Sequence, residues 1–415
     1  MKRVVITGLG AITPLGNDVN TFWTNAIQGK SGAAAITHFD ATHFKTTFAC
    51  EVKGFDPLRY FTKPEARKMD LFTQYAIAAG EECLQDAQLD LTSINPHRIG
   101  AIIATGIGGL ETLEEEILNF AKDTTQPKFN PFFITKMISN MAAGQLSIRY
   151  GLKGITYAVA SACAAANNAI GSAFDAIRLG RAELILAGGT EATICRSAIA
   201  GFNAMKALST ANEDPAAASR PFDANRTGFV AGEGAGILLL EELEHALQRG
   251  AKIYCELVGY GAASDAYHVA ATHPEGEGAI VAMQTALAEA QLTPGDVDYI
   301  NAHATSTSVG DISECKAIEQ VFKAHLPQLN ISATKSMTGH LLGAAGAIES
   351  ILCIKSIEQG IIPPTINLTE LDAAISSQLN LTPTIAQHKS VKVAMNNTFG
   401  FGGHTSSIVF KQFEN

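Results

Sequence analysis

The feature that most restricts this chain is an arrangement met twice: a short apolar strand, a turn carrying a reactive type of residue, and an apolar helix that stops at a glycine. The first copy spans residues 156–180. Cys163 occupies its turn, Ile170, Ala173, Phe174 and Ile177 recur at helical spacing, and Gly180 stands where a left-handed residue closes a helix. The second copy spans residues 330–360. There ISATKS leads to His340, and Leu341, Ala345, Ile348, Leu352 and Ile357 lie along the helical segment that follows. Each half ends in an apolar strand, GAGILLLEEL in one and SSIVFKQF in the other. The likeness is of pattern rather than identity, and it suggests duplicated halves joined near residue 250. Further strands are predicted at 3–7, 100–104, 184–187, 235–240, 253–258, 299–302, 391–395 and 407–410, all brief, apolar and bounded by glycine or polar turns. Short strands alternating with longer helical segments predict an α/β protein with covered sheets. The 415 residues exceed what one core usually serves, which suits two packed halves.

Charge and cysteine usage narrow the function. Forty acidic against thirty basic residues, a net charge of -10, oppose binding to nucleic acid or to an anionic membrane surface. Two small basic clusters, Lys63 with Arg67 and Lys68, and Arg178 with Arg181, are candidate docking points for an acidic partner, although such clusters are more often solvated surface. The seven cysteines (Cys50, Cys83, Cys163, Cys195, Cys255, Cys315 and Cys353) form no C-x-x-C pair, so neither a disulfide framework nor a zinc site is expected and a reducing cytoplasm fits. Lys2 and Arg3 imitate the start of a signal peptide, but Gly8, Gly10 and Pro14 break the apolar run, which reads as a first strand. No stretch reaches the roughly 18 apolar residues of a membrane span.

Four islands carry candidate chemistry. In YAVASACAAANNAIG, Cys163 lies between a strand and a helix start, where unpaired N–H groups and the helix dipole favour thiolate over thiol; the competing reading is a buried, inert cysteine. In YINAHATSTSVGD a strand ends at His303, followed by Thr305 and Thr307, with Asp311 and Glu314 as possible helix N-terminal charges. SATKSMTGHLLGAAGAIES joins Lys335 and His340 to Gly339, Gly343 and Gly346, a density of glycine that implies close packing or a close ligand. In NNTFGFGGHTSS, Gly400, Gly402 and Gly403 surround Phe401, as in a gate over a pocket or simply a tight turn. Two look-alikes are set aside. GLGAITPLG carries Thr13 where a dinucleotide fingerprint needs a third glycine, and ASACAAA lacks the glycines of a hydrolase nucleophile elbow.

Together with VVITGLGAITPLG, PFFITKMISNMAAGQLSIRYGLKG, ALST and ASRPFDANRTGFVAGEGAG, these islands resemble the β-ketoacyl-[acyl carrier protein] synthases, most closely the type II enzymes of bacterial fatty acid synthesis, over nearly the whole chain. The resemblance implies a thiolase fold, five α/β/α/β/α layers built from two similar halves. Residues 1–250 would carry the nucleophile, and residues 251–415 both histidines and the glycine-rich gate. It also implies a cytoplasmic homodimer. Its triad maps onto Cys163, His303 and His340, with Lys335 beside them and Glu349 as that lysine's partner. Thr305 and Thr307 match positions that hydrogen-bond the carrier's pantetheine arm. Phe401 matches the acyl-pocket gate, flanked by Gly400 and Gly402, and Ile107 and Phe133 match residues shaping that pocket. The backbone N–H groups of Cys163 and Phe401 would form the oxyanion hole, and Asp311 and Glu314 would give structural support. The implied partners are acyl-[acyl carrier protein] and malonyl-[acyl carrier protein], with no organic cofactor or catalytic metal. Ala304 and Ser308 depart from the family's usual glycine and proline, and are expected to keep activity while altering carrier or chain preference. Ala164, Ala165 and Ala166 replace a more polar sequel to the nucleophile. Three rivals remain: a thiolase, which needs a second cysteine where this chain has Phe401 and His404; a non-catalytic subunit like the chain-length factors, which lack the nucleophile; and a ketosynthase dedicated to a polyketide or polyene.

Overall fold

The computed structural model describes residues 1–414. In the first half the strands are β1 (Val4–Ile12), β2 (Ile99–Ala104), β3 (Thr156–Val159), β4 (Leu184–Glu191) and β5 (Gly234–Glu242). In the second they are β6 (Cys255–Ser264), β7 (Tyr299–Asn301), β8 (Asn330–Ser332), β9 (Val393–Gly400) and β10 (His404–Lys411). The helices that matter here are α1 (Leu71–Asp86), α2 (Leu110–Lys122), α3 (Ala165–Arg178), α4 (Glu277–Ala290), α5 (Gly310–Phe322) and α6 (Ala345–Gln359). The first five strands lie in the order β1-β5-β4-β2-β3 and the second five in the order β6-β10-β9-β7-β8, which is the same arrangement. In each, the first two pairings are antiparallel and the last two parallel. The halves meet where Val4, Val5 and Ile6 of β1 pair antiparallel with Leu257, Glu256 and Cys255 of β6, which makes one continuous sheet of ten strands.

Layering follows from burial. Strand β1, VVITGLGAI, is buried at every position, as a strand covered on both faces must be, and so is β5. Helix α6 is buried all round from Ala345 to Ile357, the signature of a helix enclosed between layers rather than lying on one. Its side chains share a core with α3, β1 and β5. The outer helices α1 and α4 cover separate cores, one per half. Among the described residues no helix is long and apolar enough to cross a membrane.

Both repeated helices end as expected, at Gly180 (φ +70°) and Gly360 (φ +64°). The second begins later than its periodicity suggests. Gly339 (φ +68°) and Leu342 (φ +46°) hold residues 339–344 in a loop and a short 3-10 turn, so Leu341 precedes the helix. Strand β1 runs to Ile12 through both glycines of the look-alike motif. A Cβ on Gly8 would stand 2.5 Å from the Cys83 carbonyl oxygen, and one on Gly10 only 1.9 Å from that of Ala79. These glycines allow α1 to seat directly on the strand.

Gly10→Ala should therefore cost about 3 kcal/mol or more, because the Cβ meets backbone that cannot step aside. Gly201, in an exposed helix with nothing within 4 Å of its Cβ position, is the control. Gly201→Ala should be neutral or stabilising by about 0.5–1 kcal/mol. Thermal or urea denaturation of the two variants checks this, and equal midpoints would contradict the packing described.

Candidate functional site

Cys163 sits in a tight turn between β3 and α3. Ala162 takes a left-handed backbone (φ +50°), and the amides of Ala164 and Ala165 donate to the carbonyls of Ser161 and Ala162 at 3.1 Å each. A non-glycine residue in that region stores on the order of 1 kcal/mol or more, and here the neighbours hold it. The end of β9 presses on the turn, since a Cβ on Gly400 would lie 2.9 Å from the Cys163 amide nitrogen. Ala164, Ala165 and Ala166 are fully buried, so small side chains there serve the packing of α3.

His340 reaches this turn from the second half. Its Nε2 lies 3.0 Å from Cys163 Sγ. Backbone bonds pin it on both sides: its N–H donates to Val230 (2.7 Å) and its carbonyl accepts from Gly232 (2.9 Å). His303 follows the end of β7. Glu314 on α5 accepts from the amides of His303 (2.9 Å) and Ala304 (2.7 Å), so this carboxylate sets the backbone that aims the ring. The two imidazoles stand nearly perpendicular, centroids 5.3 Å apart. Phe229 meets His340 edge-on at 5.3 Å and Phe399 lies 5.6 Å from His303, which walls both rings with hydrocarbon.

Behind the histidines lies a buried ion pair between Lys335 Nζ and Glu349 Oε1. Burial pushes the Glu349 carboxyl up to about 7 although Lys335 opposes the shift. Burial, and then the Lys335 charge, hold both imidazoles well below the usual histidine range, so both rings are neutral near pH 7. Burial also pushes the Cys163 thiol up to about 12, against the opposing pull of Lys335 and of the Phe401 and Cys163 backbone N–H groups. Burial thus works against the thiolate expected from the helix start. The two N–H groups that favour negative charge on sulfur are those expected to make an oxyanion hole.

These groups open onto a cavity of about 550 Å³. Cys163, His303, His340, Ile107, Thr305, Thr307 and Phe401 all line it, as do Ala304 and Ser308. The hydroxyls of Thr305 and Thr307 lie 3.2 Å apart. The loop bearing them is fixed from behind: Asp311 accepts from Thr307 N–H (3.1 Å), and Arg226 donates to the carbonyls of Thr307 and Ser308 at 2.9 Å each. Ala304 has no left-handed backbone, so nothing there demands glycine, and its methyl is buried in the core of the second half. Gly400 and Gly402 are not in the lining. The first packs on the Cys163 turn, and the second (φ +86°) donates its N–H to Val269 at 2.8 Å.

Phe133 lies on the helix Phe133–Met137, stacked on Phe129 at 5.2 Å, and does not line the cavity of its own chain. Of the basic clusters, Lys63, Arg67 and Lys68 are exposed. Arg178 is spent on Glu289 and on the Phe174 face, and stands at the far end of α3, about 20 Å from Cys163 by helical rise. Sequence reading missed the aromatic walls Phe202, Phe229 and Phe399, and also Arg226 and Glu191. Glu191 had a visible signal, a carboxylate ending an apolar strand at the edge where α/β sites form; the phenylalanines had none.

Residues 1–246 match the β-ketoacyl synthase N-terminal domain and residues 254–369 the β-ketoacyl synthase C-terminal domain. The chain is 49% identical over 413 residues to a 3-oxoacyl-[acyl-carrier-protein] synthase 2 of Staphylococcus aureus, covering 100% of this chain and 99% of that protein. The crystal structure of a β-ketoacyl synthase from Burkholderia phymatum superposes with a TM-score of 0.92 at 34% identity, with both chains covered completely. A type II polyketide ketosynthase, solved with its acyl carrier protein and bound to a hexaketide, superposes at 0.91 with 36% identity, again over both full chains. With this fold, a five-layered thiolase architecture of two similar halves, the chain belongs to the β-ketoacyl synthase family.

Proposed function

We propose that the protein lengthens acyl chains in fatty acid synthesis, condensing malonyl-[acyl carrier protein] with an acyl group held on Cys163 to give 3-oxoacyl-[acyl carrier protein] and CO2. The observation that carries this reading is Cys163 Sγ, 3.0 Å from His340 Nε2, with His303 beside it on the wall of an apolar cavity. The fatty acid reading is preferred to a polyketide one because the 49% relative bears a fatty-acid-type synthase name, against 36% for the polyketide ketosynthase.

The steps follow from the groups present. Sulfur attacks the acyl thioester carbon, its proton passes by way of His340 to the departing carrier thiol, and the acyl group remains on Cys163. The Cys163 and Phe401 N–H groups stabilise the tetrahedral oxyanion, and losing one such donor typically costs about 3 kcal/mol. In malonyl carrier the bond to the carboxylate then breaks, CO2 leaves, and the electron pair becomes an enolate. Neutral His303 and His340 donate to its oxygen. The enolate carbon forms the new C–C bond at the acyl carbon, and the released sulfur regains a proton from solvent. Thr305 and Thr307 hold the pantetheine arm at the mouth, Phe401 gates the chain, and burial with the Lys335 charge keeps the histidines neutral. Residues 1–250 thus supply the nucleophile and 251–415 the two histidines. No step needs a cofactor.

The partner is an acyl carrier, for which the exposed Lys63, Arg67 and Lys68 form a docking candidate. A homodimer is the second assembly. Strand β3 is a sheet edge paired only with β2, and exposed Tyr157, Ile107, Ile134 and Ile148 give it apolar surroundings, an edge that a second copy would cover. Seven free, buried cysteines suit a reducing cytoplasm.

Mass spectrometry of carrier-bound products from the protein with acyl carrier and malonyl carrier should show a chain two carbons longer bearing a β-keto group, absent with Cys163→Ala; failure across short, medium and long chains would sink the fatty acid reading. With its thiol raised to about 12, Cys163 is ionised in a fraction that grows about tenfold per pH unit below that value. Iodoacetamide labelling of Cys163 should accordingly climb from pH 7 to 9 without a plateau, and a plateau by pH 8 would show an ionised resting sulfur instead. In sedimentation the protein should weigh twice 43.7 kDa. Tyr157→Lys should shift it toward the monomer, and a wild-type monomer at micromolar concentration would rule the edge pairing out.

A further inference from the structure

Glu191, the last residue of β4, is fully buried beside the site. Its carboxylate accepts four hydrogen bonds, and none of the donors is a cation. Oε2 takes the amides of Gly106 (2.7 Å) and Gly343 (2.9 Å). Oε1 takes the Thr105 hydroxyl (3.0 Å) and the amide of Ile107 (3.3 Å). The backbones crowd around it, since a Cβ on Gly343 would lie 2.1 Å from the Gly106 nitrogen and 2.8 Å from Oε2, and one on Gly106 2.7 Å from Oε2. The two segments so joined are functional. One bears Ile107 and the other His340 and Leu342, and all three line the cavity. An acid buried without a cation is costly, and burial raises this carboxyl to about 7 against the pull of its donors. An amide or an apolar residue would be easier to bury, so the position needs a group that only accepts, at both oxygens.

We infer that Glu191 is a positioning residue for acyl-chain selection, whose Oε2 ties the 105–107 loop to the 340–343 segment and whose Oε1 fixes Ile107 against the cavity. The inference rests on the condensing function proposed above and adds to it the group that sets the pocket wall. The two oxygens are separable by chemistry. In Glu191→Gln the NH2 cannot take the Oε2 place, because it would face two amide donors. At the Oε1 place it can donate to Thr105 Oγ1, which already accepts from the Gly108 amide at 3.1 Å. The Ile107 amide is then left without an acceptor, and the Thr105 O–H, which gave its proton to Oε1, must turn elsewhere. The tie to the His340 segment survives while the wall that meets the acyl chain loosens.

The test compares wild type and Glu191→Gln in two readouts: the rate at which short-, medium- and long-chain acyl carriers acylate Cys163, followed by intact mass, and malonyl-carrier decarboxylation by the acylated enzyme. The ratio of long- to short-chain acylation should change by roughly threefold to tenfold, the worth of one buried hydrogen bond, and by more than decarboxylation changes. Thr105→Val removes a partner of the same oxygen and should move the ratio in the same direction, which keeps the test decisive if the glutamine variant does not accumulate. An unaltered chain-length profile in whichever variants fold, or acylation and decarboxylation falling in equal proportion, overturns the inference. If wild type is acylated by no chain, the condensing function falls and this inference with it, a result distinct from either.

Discussion

The contact on which the site depends is the clamp between α3 and α6, two helices enclosed between the layers. Asn396 of β9 donates through Nδ2 toward the Gly346 carbonyl (2.8 Å), Asn167 Oδ1 (3.1 Å) and Ser350 Oγ (3.0 Å), while Asn167 donates to the Asn396 carbonyl (3.1 Å). Gly346 has no room for a side chain, as its Cβ would lie 2.5 Å from Asn167 Oδ1. This buried network holds Asn396 through several directed contacts, which fix register as well as distance, while Asn396 Oδ1 is left without a partner. Because Cys163 precedes α3 and His340 precedes α6, fixing the helices fixes sulfur against imidazole. Seen this way, the 3.0 Å between Sγ and Nε2 is a consequence of helix packing.

Around that geometry the protein assembles an electrostatic environment of one kind. Glu191, Glu314 and Glu349 are each buried and each raised to about 7 by burial, and Lys335 is the cation paired among them. Backbone amides hold Glu191 and Glu314 in place, and the carboxylates hold the backbones that carry Ile107, Gly343, His303 and Ala304. Burial disfavours a charged sulfur and charged imidazoles alike. The sign of the shift matters for stability too. A carboxyl raised above its unfolded value binds its proton more readily in the folded state, so each of these acids weakens the fold as pH rises from about 4.5 through 7. Their amide and lysine partners limit that loss.

How much of this was legible beforehand depends on the kind of information each residue carries. Periodicity and glycine stops revealed the doubled strand–turn–helix, because a buried helix must be apolar along its length and must end somewhere a left-handed residue is cheap. Cys163, His303 and His340 stood out because reactive types at strand ends are informative in an α/β chain, and the resemblance then tied them together. The helix dipole at Cys163 can be read from sequence, while the burial that opposes it cannot. Phe202, Phe229 and Phe399 looked like any core aromatics, since walling an imidazole ring needs only shape at the right distance.

The two halves share one topology yet treat their outer edges differently. In the second half β8 is the edge, and the chain covers it: Ile331 donates to the Asn380 carbonyl (2.8 Å), Ala333 to Thr365 Oγ1 (3.0 Å), and Asn330 Nδ2 to Gln387 Oε1 (2.6 Å). Strand β3, at the equivalent place in the first half, has no such covering segment among the described residues; its residues are only partly buried and Tyr157 is exposed. An uncovered edge beside apolar side chains is a liability that chains usually blunt with charge or proline, and TYAV has neither. This edge also leads directly into the turn holding Cys163. A strand paired along this edge would bear on the residues from which the Cys163 turn departs, so the two features share the same four residues.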